Sequence, residues 1–309
     1  MIEIFSQTVP FFALIALGYG SGRIGFFSEE ATAYLTRFVF YFALSAMLFR
    51  FAASLSLDEI FDWNFILAYL TATMAIYIVV TLVGVFRRRS MPEVAVEAQC
   101  GVIGNVGFLG IPMLVILLGE GAVAPVILIL SVDLIVFGSL IVILILAGQR
   151  GRVGPGAIGT ILSGLVKNPM IVSITLGLLF ARTGLAIPGP IDAFLEILGA
   201  AATPGALFAI GASLASKSAE RLSIAVWLSF SKLVLHPAAV VITALFLFPV
   251  EPYAAGVMIA ASALPVAGNV FILAQHYGVA PQRVSAAILV STGASVLTVT
   301  AVIAWIKTL

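Results

Sequence analysis

The chain has 309 residues, 62% of them apolar and 9% charged, with a mean hydropathy of +1.20. A soluble domain carries roughly a quarter charged residues, so this composition excludes a water-soluble globule and indicates an integral membrane protein. A net charge of +1 gives no pull toward nucleic acid, Cys100 alone excludes an internal disulfide, and His236 and His276 are too few for a histidine metal site, so no cofactor or metal is expected.

About 20 apolar residues cross a bilayer. Segmentation at charged or Gly/Pro-rich breaks predicts ten spans: 3–21, 32–53, 64–86, 95–118, 122–148, 168–182, 191–214, 222–248, 253–277 and 283–307. The first is read as a spanning helix rather than a signal peptide, because its only early charge is Glu3 and a basic n-region is missing. Span six is short, and spans four and nine carry internal Gly, Asn and Pro. Residues 149–167, QRGRVGPGAIGTILSGLVK, read as a Gly-rich linker between residues 1–148 and 168–309.

Basic residues orient the spans. Arg23, the run Arg87 to Arg89, Arg150, Arg152, Lys167, Lys217, Arg221 and Arg283 all fall in odd-numbered loops, whereas the other side holds only Arg50, Arg182 and Lys307. The odd loops are therefore expected in the cytoplasm, with both termini outside.

The chain matches itself. Residues 10–55 align with 169–214 through twelve identities, among them Pro10/Pro169, Gly18/Gly177, Arg23/Arg182, Phe49/Phe208 and Ala53/Ala212. With the offset widened by five residues, Trp63 aligns with Trp227 and Gly104-Asn105-Val106 with Gly268-Asn269-Val270. A unit of five spans inserts upside down when repeated. Inverted repeats with interrupted helices near the midplane are a mark of secondary transporters.

Spans four and nine are repeat-related and both carry helix breakers: Gly104-Asn105 with Gly110-Ile111-Pro112, and Leu264-Pro265 with Gly268-Asn269. Unwound backbone in lipid costs several kcal/mol per unpaired group, so such breaks survive only in protein or facing a water-filled cavity. Half-helix N-termini suit an anion, and each asparagine adds a neutral donor and acceptor. The expected site is a midplane cradle for a small anion. The competing reading is close packing through small residues.

Charges inside spans are functional suspects. Asp133 lies in span five; Lys232 and His236, four apart, share a face of span eight. Lys232 is a candidate to attract the anion or to balance Asp133, and His236 to carry a proton. A structural Lys–Asp pair is the alternative. Glu97 and Gln99 are expected to line the cytoplasmic mouth of span four or to snorkel to the interface. Arg37, Arg50, Glu196 and His276-Tyr277 are expected at the membrane boundary.

With GNVGFLGIP at 104–112, ALPVAGNVFILAQHYGV at 263–279 and LVSTGASVLTV at 289–299, the sequence resembles the auxin efflux carrier family over essentially its whole length. That family includes the plant PIN proteins and bacterial malate and malonate permease-like carriers. The resemblance implies an all-α, bile-acid-symporter-like fold of ten helices in two inverted repeats, with spans four and nine crossing at the site. It further implies a dimerising scaffold of spans one, two, six and seven, and a domain of spans three to five and eight to ten that moves as an elevator. Organic anions are the implied substrates, and Asn105, Pro112, Pro265 and Asn269 carry over to the crossover. The chain departs from the family at Gly104, where PIN proteins have proline, and at Ser45, where many relatives have proline; the long hydrophilic loop of the longer plant members is missing. It resembles a bacterial member of the cytoplasmic membrane.

The leading expectation is a carrier of small carboxylates working by alternating access, with proton coupling through Asp133 or His236. A sodium/proton antiporter or sodium-coupled symporter on the same fold is the alternative, though paired midplane carboxylates are lacking. No nucleotide-binding loop and no protease motif occurs, so an enzyme is not expected.

Overall fold

In the computed structural model, residues 2–55, 62–150, 155–216 and 222–308 are described. Polar caps mark where several helices begin. Ser28 accepts from the Ala31 N–H, Asp62 from Asn64 and Phe65, Asn168 from Met170, and Glu251 from Tyr253 and Ala254. Each satisfies donors that have no partner inside the helix. The helices are α1 (Ile2–Arg23), α2 (Glu29–Ala53), α3 (Trp63–Phe86), α4 (Met91–Val102), α5 (Val106–Leu118), α6 (Glu120–Gln149) and α7 (Pro155–Lys167). They continue as α8 (Pro169–Ala181), α9 (Gly189–Ala215), α10 (Leu222–Leu247), α11 (Pro252–Ser262), α12 (Gly268–His276) and α13 (Pro281–Ile306). No strand occurs among the described residues.

Six of them, α2, α3, α6, α9, α10 and α13, are long and apolar enough to cross a membrane. The remaining spans read from the sequence correspond to α1, the short α8, and the interrupted pairs α4/α5 and α11/α12. Most of the segment read as a linker is helical. Pro155–Lys167 is helical, bent by 68° from α8, because Ile158, Leu162 and Val166 recur every four residues as one exposed apolar stripe despite the glycines. Arg152, Lys217 and Arg221 lie outside the described residues, as does the side chain of Arg150.

Two close helix pairs frame the molecule. A Cβ at Gly18 would collide with the Phe208 carbonyl and approach the Ala212 nitrogen to 3.0 Å, which brings α1 onto α9. A Cβ at Gly177 would lie 2.7 Å from the Phe49 carbonyl oxygen and 3.1 Å from the Ala53 nitrogen, bringing α8 onto α2. Gly18 and Gly177 are aligned in the sequence repeat, and so are Phe208 and Ala212 with Phe49 and Ala53.

Hydrogen bonds tie the helix ends together. Arg50 donates to Asp192 at 2.7 Å and to Glu196 at 3.3 Å. The Tyr253 hydroxyl donates to the Leu118 carbonyl at 2.9 Å, and Gln149 to the Tyr277 carbonyl at 3.3 Å. Glu97 and Gln99, expected to line the mouth of span four or to snorkel to the interface, are 1% and 2% exposed, so neither snorkels. The Glu97 carboxylate stays buried because two guanidiniums reach it, Arg87 from the end of α3 and Arg283 from the start of α13, each at 2.7 Å.

Candidate anion site at the crossing breaks

Pro265 has no N–H and cannot continue α11. Its own carbonyl accepts from the Asn105 N–H at 2.8 Å, and the Ala267 N–H donates to the Ile103 carbonyl at 3.1 Å. These two bonds make an antiparallel bridge between Gly104 and Val266. The two breaks therefore lie side by side and satisfy each other's backbone. The Val266 N–H finds the Ser291 hydroxyl of α13 at 3.1 Å, so the polar groups freed by the break are taken up by protein rather than left to lipid.

A cavity of about 50 Å³ opens beside this bridge. Room for a water is roughly 10–15 Å³ on this measure, so it admits a few waters or a very small solute. Gly104, Asn105, Gly107 and Phe108 line it from one break, Gly268 and Asn269 from the other, and Asp133 from α6. Phe40 of α2 stacks on Phe108 at 6.0 Å between ring centres and covers one side. The first turns of α5 and α12 both begin here, and their leading N–H groups have no acceptor within the helix. The Asn269 side-chain carbonyl oxygen is buried without a partner, and the Asn105 side chain lines the same cavity. The site thus offers two helix N-termini and the side-chain amides of Asn105 and Asn269, whose NH2 groups can donate to a carboxylate or similar anion.

Asp133 is the only ionisable residue among the described lining residues. One of its oxygens accepts from the Tyr69 hydroxyl at 2.8 Å; the other, Oδ2, is buried and unpartnered. It opens a π-helical turn, Asp133–Phe137, and Lys232 lies in another, Ser231–Leu235. Such single-turn bulges redirect side chains and recur at functional sites.

Gly104, Asn105, Gly268, Asn269 and Asp133 are thus brought together. Pro265 contributes its carbonyl to the bridge. Pro112 is placed elsewhere: seven residues past Asn105, in the first turn of the Ile111–Leu118 segment, it lines a larger cavity of about 230 Å³ with Met47, Arg50 and Thr203. Lys232 and His236 sit behind the break rather than among the residues lining the smaller cavity. Lys232 donates to the Ser262 carbonyl and its Nζ lies 3.2 Å from His236 Nδ1, while His236 Nε2 lies 3.0 Å from the Thr73 hydroxyl. No ion pair joins Lys232 to Asp133 among the described residues. Tyr69, Thr73, Ser291 and Asn168, which also lines the small cavity, went unread in the sequence. Tyr69 and Thr73, four apart on one face of an apolar span, were the available signal.

The family model described as Membrane transport protein matches residues 3–154 and 157–303. The chain belongs to this family, that of the auxin efflux carriers. It is a multi-pass membrane transporter and not an enzyme. A protein of Rhizobium meliloti (strain 1021) named "Putative malonate transporter" is 31% identical to this transporter, over 99% of this chain and 97% of its own. "Uncharacterized transporter YfdV" of Escherichia coli (strain K12) is 26% identical over 94% of this chain and 93% of its own. "Uncharacterized transporter MJ1031" of Methanocaldococcus jannaschii is 25% identical over 93% of each chain.

Proposed function

We propose that this transporter is a secondary carrier of small organic anions, with short carboxylates as substrates, and that the crossing breaks hold the carboxylate. The observation that carries this reading is the convergence of two half-helix N-termini with the amides of Asn105 and Asn269 on one cavity. The name of the Rhizobium relative makes malonate the first substrate to try. The single carboxyl of Asp133 beside an anion favours a proton that travels with the substrate, because two like charges in one buried site are costly. Uptake is then a proton symport of the anion.

The ten-span, inverted-repeat reading has two supports. Gly18 and Gly177 pack on repeat-matched partners, and every helix-end link among Arg50, Tyr253, Gln149 and Glu97 joins ends that ten alternating crossings put on one side. In this reading spans one, two, six and seven (α1, α2, α8 and α9) form the fixed scaffold of a homodimer. The remaining spans move as an elevator, and the chain lies in a bacterial cytoplasmic membrane with both termini outside.

A solid-supported-membrane screen of mono- and dicarboxylates on purified protein, at two pH values and with or without sodium, tests the function. Currents for malonate or a similar acid that grow at lower pH are expected. Sodium or proton currents without any organic acid contradict it.

A further inference from the structure

The break in α11 leaves one carbonyl with an unusual partner. In an unbroken helix the Ser262 carbonyl would accept from the Val266 N–H, but that N–H goes to Ser291. The Lys232 ammonium donates to Ser262 instead. Half-helix C-termini carry partial negative charge, and in discontinuous transport helices such ends hold the coupling cation. Here the cation arrives on a side chain.

The rest of its setting is specific. Lys232 is fully buried, and its Nζ lies 3.2 Å from His236 Nδ1. An imidazole that accepts there is neutral and donates through Nε2 to the Thr73 hydroxyl at 3.0 Å. On the other break, a Cβ at Gly104 would stand 3.1 Å from Lys232 Cε and 3.3 Å from Nζ, so the ammonium is wedged between the two interrupted segments. With no carboxylate paired to it among the described residues, its burial is matched to that carbonyl end and the imidazole nitrogen rather than to an ion pair.

We propose that Lys232 is a built-in cation, occupying with its ammonium a monovalent-cation site made by the Ser262 carbonyl and His236 Nδ1. The normal transporter therefore has no use for a metal coupling ion at this point. Removing the side chain vacates the site for a free cation, ammonium best of all because it donates to both acceptors. The proposal deepens the carrier reading and rests on it only for the transport arm of its test.

Melting temperatures of purified wild type, Lys232→Ala and Lys232→Met are compared in ammonium, sodium and N-methylglucamine chlorides at equal ionic strength. Wild type and Lys232→Met, whose side chain fills the space, are expected to show no preference. Lys232→Ala is expected to melt about 2 °C higher in ammonium at ten times its dissociation constant, with sodium behind. Equal melting in all three salts, the same preference in wild type, or failure of Lys232→Ala to fold in every salt overturns it. Malonate counterflow in liposomes, restored to Lys232→Ala by ammonium, extends the result to transport. A cation preference without malonate transport in any form, wild type included, sinks the carrier reading and leaves the cation site standing.

Discussion

Asp133 lines the small cavity with one oxygen held by Tyr69 and the other free. In the proposed proton symport, a carboxylate there repels an anion unless a proton neutralises one of them, so Asp133 would make accumulation depend on protons without being needed to hold the anion. Asp133→Asn is expected to keep malonate exchange in liposomes within about twofold while losing accumulation driven by a pH gradient. Retained gradient-driven accumulation would remove Asp133 from coupling. Much of this scale was legible in the sequence: Asp133, Asn105 and Asn269 stand out because polar groups are costly in lipid. The roles of Lys232 and His236 were not, because their partners Ser262 and Thr73 come from other helices and no local pattern announces a side chain capping a distant carbonyl.

At the scale of elements, the breaks in α4/α5 and α11/α12 were legible because Gly and Pro write them into the chain. The π turns at Asp133 and Ser231 were not, since one extra residue per turn leaves no compositional mark. Nor was the helix over Pro155–Lys167, where the glycines obscured an apolar repeat of four. The cluster at the start of α4 shows the same limit: Glu97 was expected at the mouth of the span or at the interface, and its partners Arg87 and Arg283 come from two other helices. Arg283→Ala leaves that buried carboxylate short of a partner and is expected to cost about 3–5 kcal/mol in denaturation of the purified protein. Adding Glu97→Gln is expected to recover part of it. At Glu93, beside the mouth, burial alone would raise the carboxyl, but hydrogen bonds from Arg283 and Ser90 outweigh it and hold it below its usual range. With a lowered native pKa, its stabilising contribution is present above the ordinary carboxylate range and fades as pH falls below about 4. Thermal melts from pH 6 to 3 should therefore show Glu93→Gln losing less stability on acidification than wild type.

At the scale of the molecule, the proposed ten crossings would put Arg87 to Arg89 and Arg283 on one side and both termini on the other. The hydrogen bonds between helix ends respect that division. In a Cys100→Ala background, Thr308→Cys is expected to react with a membrane-impermeant maleimide in intact cells, and Arg88→Cys only after permeabilisation. The reverse pattern would invert the orientation and place the Glu97 cluster outside. The cavity of about 50 Å³ is closed down around the crossover, as alternating access requires of at least one state, and an elevator movement would have to enlarge it to pass a dicarboxylate.

The central claim is that the two breaks together form the anion site. Counterflow of radiolabelled malonate into liposomes, run with wild type, Asn105→Ala and Asn269→Ala at matched reconstitution, tests it most directly. A hydrogen bond to a charged group is worth about 1.5–3 kcal/mol, so each variant is expected to lose roughly ten- to a hundredfold in rate while eluting and melting like wild type. Near-normal counterflow in both variants would contradict the account.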